Sequence, residues 1–325
     1  MKGIQIDGAG GPEVLKLHEF EDPVAGDGEV VIKVVATAVN RADTMQREGK
    51  YNPPPGASPI PGLECSGVID SVGHGVTKWK VGDEVCALLS GGGYAEKVNV
   101  PAVQVLPIPK GVSLRDAGGI PEVACTVWST IFMTSHLTKG ETLLIHGGGS
   151  GIGTFAIQIA KAKGVRVLIT AGSDEKVKKC LELGADVGIN YKSEDFVEKT
   201  KSATGGKGVD VILDCVGGAY LSKNVDCLAF DGRLFIIGLQ GGIKGELTLN
   251  TILFKRLTVT GAGLRVRSVE KKGEIVQDVL EKVWPEIEAG NVKVMIDTVL
   301  PLAEASKAHE ILESSTHFGK ILLTT

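Results

Sequence analysis

The sequence has no run of about 18 consecutive apolar residues, so no membrane-spanning helix is expected. It has no excess of basic charge either. A formal net charge of −4 removes the electrostatic ground for binding nucleic acid or an anionic membrane. Its six cysteines, at 65, 86, 125, 180, 215 and 227, include no C-x-x-C pair, which argues against a zinc ribbon and against a disulfide framework. The thiols read instead as small apolar groups in a reducing compartment, the cytoplasm. Met1–Asp7 is polar-interrupted and strand-like, so no signal peptide is expected, and Leu323-Thr324-Thr325 is no address signal. The six histidines (18, 74, 136, 146, 309, 317) fall at no recognisable catalytic spacing, and no general acid can be named.

What is present is an ordinary globular composition, 43% hydrophobic and 23% charged over 325 residues, long enough for two domains with sizeable cores. The first 115 or so residues read as β-rich. Val30–Ala36, Gly67–Gly73 and Glu84–Leu89 are short strand-like runs with glycine at the breaks, and Asn52–Gly56, with its three prolines, must be a surface loop. Such punctuation suggests a compact barrel-like β domain. Near residue 115 the pattern changes. Strands are expected at Leu143–His146, Val165–Thr170, Val187–Tyr191, Val209–Asp214, Arg233–Gly238 and, last, Leu257–Gly261, with helices at Thr154–Lys163 and Asp174–Leu183 between the first of them. This alternation predicts right-handed βαβ units and a parallel sheet. Glu270–Ala289 should be a helix kinked at Pro285, followed by helix Ala303–Leu312 and strand Lys320–Thr324. The C-terminal segment is expected to rejoin the β domain, making it discontinuous.

The chemical motif lies between a strand and a helix: His146-Gly147-Gly148-Gly149-Ser150-Gly151-Ile152-Gly153. Glycines let the backbone turn tightly and approach a pyrophosphate, and a helix N-terminus offers free N–H groups to its charge. No frame fits a strict G-x-G-x-x-G; the spacing Gly148, Gly151, Gly153 is a variant whose context supplies its force. At the end of the second strand, where an NAD site usually carries a carboxylate, stands Thr170-Ala171-Gly172-Ser173, with Lys176 one turn into the helix. A small hydroxyl and an ammonium suit a 2′-phosphate, hence NADPH. Asp174 leaves the alternative open, since it could hold a ribose hydroxyl or cap the helix.

Longer stretches carry a family likeness: Asn40-Arg41-Ala42-Asp43, Met45-Gln46-Arg47, Tyr51, Pro53–Ser58, Gly91-Gly92-Gly93, Ile120-Pro121-Glu122, Thr170–Ser173, Leu213-Asp214-Cys215 and Leu253-Phe254-Lys255-Arg256. Across essentially its full length the chain resembles the zinc-independent quinone oxidoreductases of the medium-chain dehydrogenase/reductase superfamily. The resemblance implies a Rossmann doubly wound parallel sheet domain at 121–264, binding NADPH. It implies a GroES-like β-barrel catalytic domain at 1–120, completed by 265–325. Asn40, Leu63 and Glu122 then stand where zinc relatives place their Cys, His and Cys ligands, and leucine cannot ligate. Hence no metal is expected. A quinone accepts hydride without the Lewis acid that an alcohol needs, so the protein's task reduces to alignment and exclusion of water.

By the same resemblance Asn40 should lie at the nicotinamide face, Tyr51 should line the acceptor pocket, and Asp43 should fix local geometry. Thr126, Gly148, Ser150, Gly151, Ile152 and Gly153 should hold the cofactor, with Ser173, Lys176 and Tyr191 at its adenosine phosphate and Gly217, Gly238 and Leu239 along its border. Plain turn requirements account for the strand-ending glycines equally well. The expected activity is NADPH-dependent reduction of a small-molecule quinone. Two alternatives are an enone or enoyl-thioester reductase, with Tyr51 as proton donor, and an NADPH-binding sensor or RNA-binding protein with weak catalysis, which would want a basic face. The unguarded strand Leu257–Gly261 predicts a homodimer joined edge to edge.

Overall fold

A computed structural model describes all residues 1–325, which divide into two compact units. Unit 1 comprises Met1–Cys125, Leu264–Ala289 and Val294–Thr325; unit 2 comprises Thr126–Gly263 and Gly290–Lys293. Unit 2 thus begins at Thr126 and takes in the short return segment Gly290–Lys293.

Unit 1 is organised by Glu29–Ala38, a ten-residue strand whose apolar and β-branched side chains are mostly buried on both faces. Such residues suit a strand covered on both sides. Register shifts at Val31/Ile32 and at Val34/Ala36 interrupt its pairing with Glu64–Val72, and bulges of this kind bend a strand. On its other side the first half pairs with Lys97–Pro101 and the last residues with Lys320–Thr324. The C-terminal strand therefore joins the sheet begun by the N-terminal segment, as expected. The seven-stranded sheet is completed by Glu84–Leu88, Val105–Pro107 and Ile296–Pro301, and Lys2–Ile6 with Leu15–Glu19 forms a separate antiparallel pair.

One core of unit 1 gathers Val30, Ile32, Val34, Ile69, Val85, Val98 and Val100; another gathers Ile4, Val39, Ile60, Tyr94, Leu312, Ile321 and Leu323. Each such side chain contributes roughly 1.5–3 kcal/mol, so the strand ends that carry Asn40 and Glu64 have a stiff base. The expected helix Glu270–Ala289 is two helices, Val269–Lys282 and Trp284–Glu288. Pro285 sits in the first turn of the second, where its missing N–H is no loss.

Unit 2 is a six-stranded sheet, every pairing parallel, in the order Val187–Asn190, Arg166–Ala171, Thr142–His146, Val209–Asp214, Leu228–Ile236, Thr258–Gly261. The strand expected at Arg233 starts earlier, at Leu228. Chain order reverses between Thr142–His146 and Val209–Asp214, and open parallel sheets bind ligands outside the C-terminal ends of strands at such a reversal. Both termini of the sheet are edges; Thr258–Gly261 is one of them.

Candidate active site

In unit 2 the strand Thr142–His146 runs into the glycine loop. His146 is buried and spans the sheet end, with Nδ1 3.0 Å from Thr170 Oγ1 and Nε2 2.7 Å from Asn224 Oδ1. Burial holds its imidazole down at about 4, so it is neutral. Nε2–H donates to the Asn224 carbonyl and Nδ1 accepts from the Thr170 hydroxyl. Gly147 then takes a positive φ of 75°, and the N–H groups of Gly147 and Gly148 both donate to the Thr170 carbonyl.

Ser150 caps the helix Gly151–Ala162: its Oγ accepts from Gly153 N–H at 3.0 Å and donates to the Gly147 carbonyl at 2.8 Å. A Cβ on Gly153 would stand 2.3 Å from Gly147 O and 2.6 Å from Gly148 O, and one on Gly148 would meet Ile169 and the Cys180 sulfur. The loop therefore folds onto the helix more closely than any side chain allows. It leaves the first-turn amides of Gly151 and Ile152 with no carbonyl behind them to accept. This is an anion cradle.

One strand over, Ser173 caps the helix Asp174–Glu182 through the Lys176 N–H, at 3.3 Å. Asp174 is neither the cap nor free, for its Oδ1 accepts from Asn190 Nδ2 at 2.7 Å. The Tyr191 hydroxyl lies 2.6 Å from where a Cβ on Gly172 would be. Ser173, Lys176 and Tyr191 are thus grouped around one corner. On the far side of the reversal, buried Asp214 accepts from the N–H groups of Val216 and Gly217 at 2.8 and 3.0 Å. The turn it fixes brings Gly217 against Leu239 and Gly238. The Cys215 thiol reaches the His146 carbonyl at 3.4 Å, tying that turn to the loop. Thr126 lies apart in sequence, in helix Pro121–Val127, its carbonyl 3.4 Å from the Ser129 hydroxyl.

In unit 1, Asn40 precedes helix Arg41–Arg47 at the end of the central strand. Its amide nitrogen donates to Glu64 Oε1 (2.9 Å) and to the Ala38 carbonyl (3.3 Å), while its Oδ1 accepts from the Lys320 ammonium at 2.7 Å. Lys320 also bonds Glu64 Oε1 at 2.6 Å, and both partners of that ion pair are buried, 3% and 0% exposed. The second Glu64 oxygen accepts from the Glu122 N–H at 2.9 Å.

Asp43 is buried below this group. It accepts from the Asn40 N–H (2.8 Å), the Gly62 N–H (3.0 Å) and the Tyr94 hydroxyl (3.2 Å), and burial outweighs these to lift its carboxyl to about 6. Tyr94 continues to His309 Nε2 at 3.2 Å, His309 Nδ1 to Arg47 at 3.3 Å, and Arg47 to Glu313 at 2.6 Å. Burial, then Arg47 and Arg41, holds His309 down at about 3. Tyr51 is half-buried, and the Arg265 guanidinium carbon lies 5.3 Å from its ring centroid. Burial also raises its hydroxyl above the usual phenol value, against Arg265.

Glu64, Lys320, Tyr94, His309 and Arg265 did not stand out in the sequence. The only local signal was a charge in an otherwise buried run, as in Glu64-Cys65-Ser66 or Lys320-Ile321-Leu322.

Residues 26–110 match the alcohol dehydrogenase GroES-like domain, and residues 151–300 the zinc-binding dehydrogenase family. Over 99% of its length the chain is 35% identical to a quinone oxidoreductase of Rattus norvegicus, covering 97% of that protein. The chain belongs to the quinone oxidoreductase family. Among solved structures, a quinone oxidoreductase of Escherichia coli complexed with NADPH matches over 100% of both chains, with a TM-score of 0.91 and 32% identity. An NAD-dependent alcohol dehydrogenase matches over 100% of both chains at 0.89 and 31%. Within this family the sheet of unit 2 is the Rossmann domain, and unit 1 carries the GroES-like domain.

The zinc implied by one of these family names does not fit the residues here. Leu63 has no side-chain donor atom, and Asn40 Oδ1 and Glu64 Oε1 both face the Lys320 ammonium, a cation already supplied by the chain.

Proposed function

We propose that the chain is an NADPH-dependent quinone oxidoreductase that works without zinc. When bound, NADPH supplies a hydride. The observation that carries this reading is full-length kinship with quinone oxidoreductases on a chain whose would-be metal position holds an Asn40–Glu64–Lys320 cluster. In this reading Gly148, Ser150, Gly151, Ile152 and Gly153 receive the pyrophosphate on the helix N-terminus. Thr126, Gly217, Gly238 and Leu239 border the nicotinamide half. Asn40, held by Lys320 and Glu64, orients the reacting rings, with Asp43 fixing its backbone and Tyr51 lining the acceptor pocket. The domains are read as 1–120 with 265–325, and 121–264.

Two dinucleotides are in play, since the alcohol dehydrogenase neighbour uses NAD. The corner of Ser173, Lys176 and Tyr191 favours the 2′-phosphate, and Asp174 is occupied by Asn190 rather than offered to a ribose hydroxyl. Removing one charge-assisted contact costs on the order of 1.5–3 kcal/mol, roughly tenfold to a hundredfold in affinity. Lys176→Ala should therefore raise KM for NADPH and leave that for NADH nearly unchanged, with the rate at saturating NADPH preserved. Equal weakening of both cofactors would overturn the assignment.

A second reading, reduction of an enone or enoyl thioester, is favoured by the Tyr51 hydroxyl, which burial keeps protonated and available to protonate an α-carbon. NADPH oxidation measured with a quinone panel beside an enone panel decides between them. Quinones should turn over faster, and an enzyme active only on enones would overturn the first reading.

The oligomer proposed is a homodimer. Beside the edge strand Thr258–Gly261, unit 2 exposes Phe230, Leu249, Leu253 and Phe254, the last two at 80% and 69%. Apolar side chains at an open edge suit a second copy of the chain. The cytoplasm is the compartment proposed, because six cysteines without a disulfide suit a reducing one.

A further inference from the structure

Unit 1 buries two cations that no carboxylate contacts. Arg265 is 3% exposed; its Nε donates to the Ser90 carbonyl at 2.9 Å and its Nη2 to Gln46 Oε1 at 2.7 Å. Its Nη1 is buried with no hydrogen-bond partner. Lys272, also 3% exposed, bonds the Ser90 hydroxyl and spends one of its three N–H donors there. Asp43 and Glu122 act on these cations at longer range, and burial lowers the pKa of both cations.

A buried charge without a partner costs several kcal/mol, and a buried donor left unmade costs in addition. Ser90 brings two such charges to one place. The one group lying over the guanidinium face is the Tyr51 ring. Tyr51 stands at the head of a proline-rich segment with neither helix nor strand.

We propose that Arg265, Lys272 and Tyr51 form an oxyanion subsite, which receives the charged oxygen of the reduced acceptor. The proposal rests on the reading of the chain as a quinone or enone reductase. A quinone that takes a hydride from NADPH, which leaves as NADP⁺, becomes the monoanion of the hydroquinone. The charge stays on one oxygen until water protonates it. An enone reduced at its β-carbon gives an enolate, with the charge on the same kind of oxygen. Groups aimed where charge develops lower the barrier, and do so most where water is excluded. The Nη1–H of Arg265, the spare protons of Lys272 and the Tyr51 hydroxyl are donors of that kind, and they supply the electrophilic help that zinc gives in other dehydrogenases.

The test needs no turnover. para-Nitrophenol is titrated into the full-length protein saturated with NADP⁺, and its phenolate absorbance is followed against pH. para-Nitroanisole, the same ring without an ionisable oxygen, serves as the neutral control. The wild-type complex should bind the phenolate and keep it ionised to lower pH than in free solution. Arg265→Met and Lys272→Met should each lose about tenfold or more in phenolate affinity while holding nitroanisole and NADP⁺ as before. Arg265→Lys, which keeps the charge, should retain part of the effect. If Arg265→Met fails to fold, Lys272→Met and Arg265→Lys still decide. Phenolate affinity unchanged in these variants, or lost in step with nitroanisole, overturns the subsite. A protein that reduces neither quinones nor enones yet shows the full nitrophenolate pattern would sink the function and leave the subsite standing.

Discussion

Replacing Lys320 by methionine tests how the cluster around Asn40 is held. The ammonium lies 2.6 Å from Glu64 Oε1 and 2.7 Å from Asn40 Oδ1, and both charged side chains are buried. Methionine fills much of the same volume but leaves the Glu64 carboxylate with two donors, Asn40 Nδ2 and the Glu122 N–H, and no counter-charge. Stranding one member of a buried pair costs about 3–5 kcal/mol, a large part of a typical domain's stability. Urea unfolding at neutral pH should show a loss of that size in Lys320→Met. Adding Glu64→Gln removes the stranded charge, so the double variant should recover most of it, with a coupling of 0.5–3 kcal/mol or more in the mutant cycle.

Catalysis gives a separate readout: the single variant should lose kcat more than it raises KM, since the Asn40 amide is no longer pinned on its oxygen side. A Lys320→Met protein within about 1 kcal/mol of wild type, or a double variant no more stable than the single one, would refute the reasoning.

Gly153→Ala should weaken NADPH binding by at least about tenfold, measured by cofactor fluorescence, because its Cβ would stand 2.3 Å from a loop carbonyl that cannot yield without opening the cradle. His146 and His309, held down to about 4 and about 3 by burial, should stay neutral at pH 5.5 in an NMR titration. The folded state then binds fewer protons than the unfolded one below about pH 6.5. The stability that the two provide above that pH is lost as pH falls, on the order of 3 kcal/mol each by pH 4. Asp43, raised to about 6, acts in the opposite sense: between its unfolded value near 4 and about 6 the folded state holds the extra proton, so acidification returns part of the loss. Leu253→Glu with Phe254→Glu should convert the proposed homodimer into a monomer, read by light scattering at micromolar concentration against the unsubstituted protein.

Unit 2 was readable because its signals are local. β-Branched runs such as Val209–Asp214 and the glycine loop each fit within a few residues, and the parallel order follows from their alternation with helices. Unit 1 was readable only in outline. Ile296–Pro301 is a sheet-edge strand whose alternation is weak and whose last residue is proline, so no window marked it. Lys320 and Glu64 are 256 positions apart, and Arg265 reaches Gln46 across 219. A charge in an apolar run hints at burial for Glu64 and Lys320 but does not say which residue it meets, and only the closed sheet brings the partners together. The polar centre of the site is therefore the part least visible in the sequence.

That centre divides by how fully its groups are used. Both hydrogens of the Asn40 amide are spent, on Glu64 and on the Ala38 carbonyl, and its oxygen takes a Lys320 proton. Asn40 can shape a surface against which a ring lies, but it has no N–H to offer a developing oxyanion. Asp43 is likewise spent on Gly62, Asn40 and Tyr94. Unspent cationic donors of unit 1 lie elsewhere, at Arg265 Nη1 and Lys272. A partnered buried cluster fixes geometry, whereas an unpartnered one is completed by what binds. In the proposed function, position and electrophilic assistance therefore fall to different residues. Substitutions at Lys320 should disturb the alignment of the acceptor, and those at Arg265 the stabilisation of its charge.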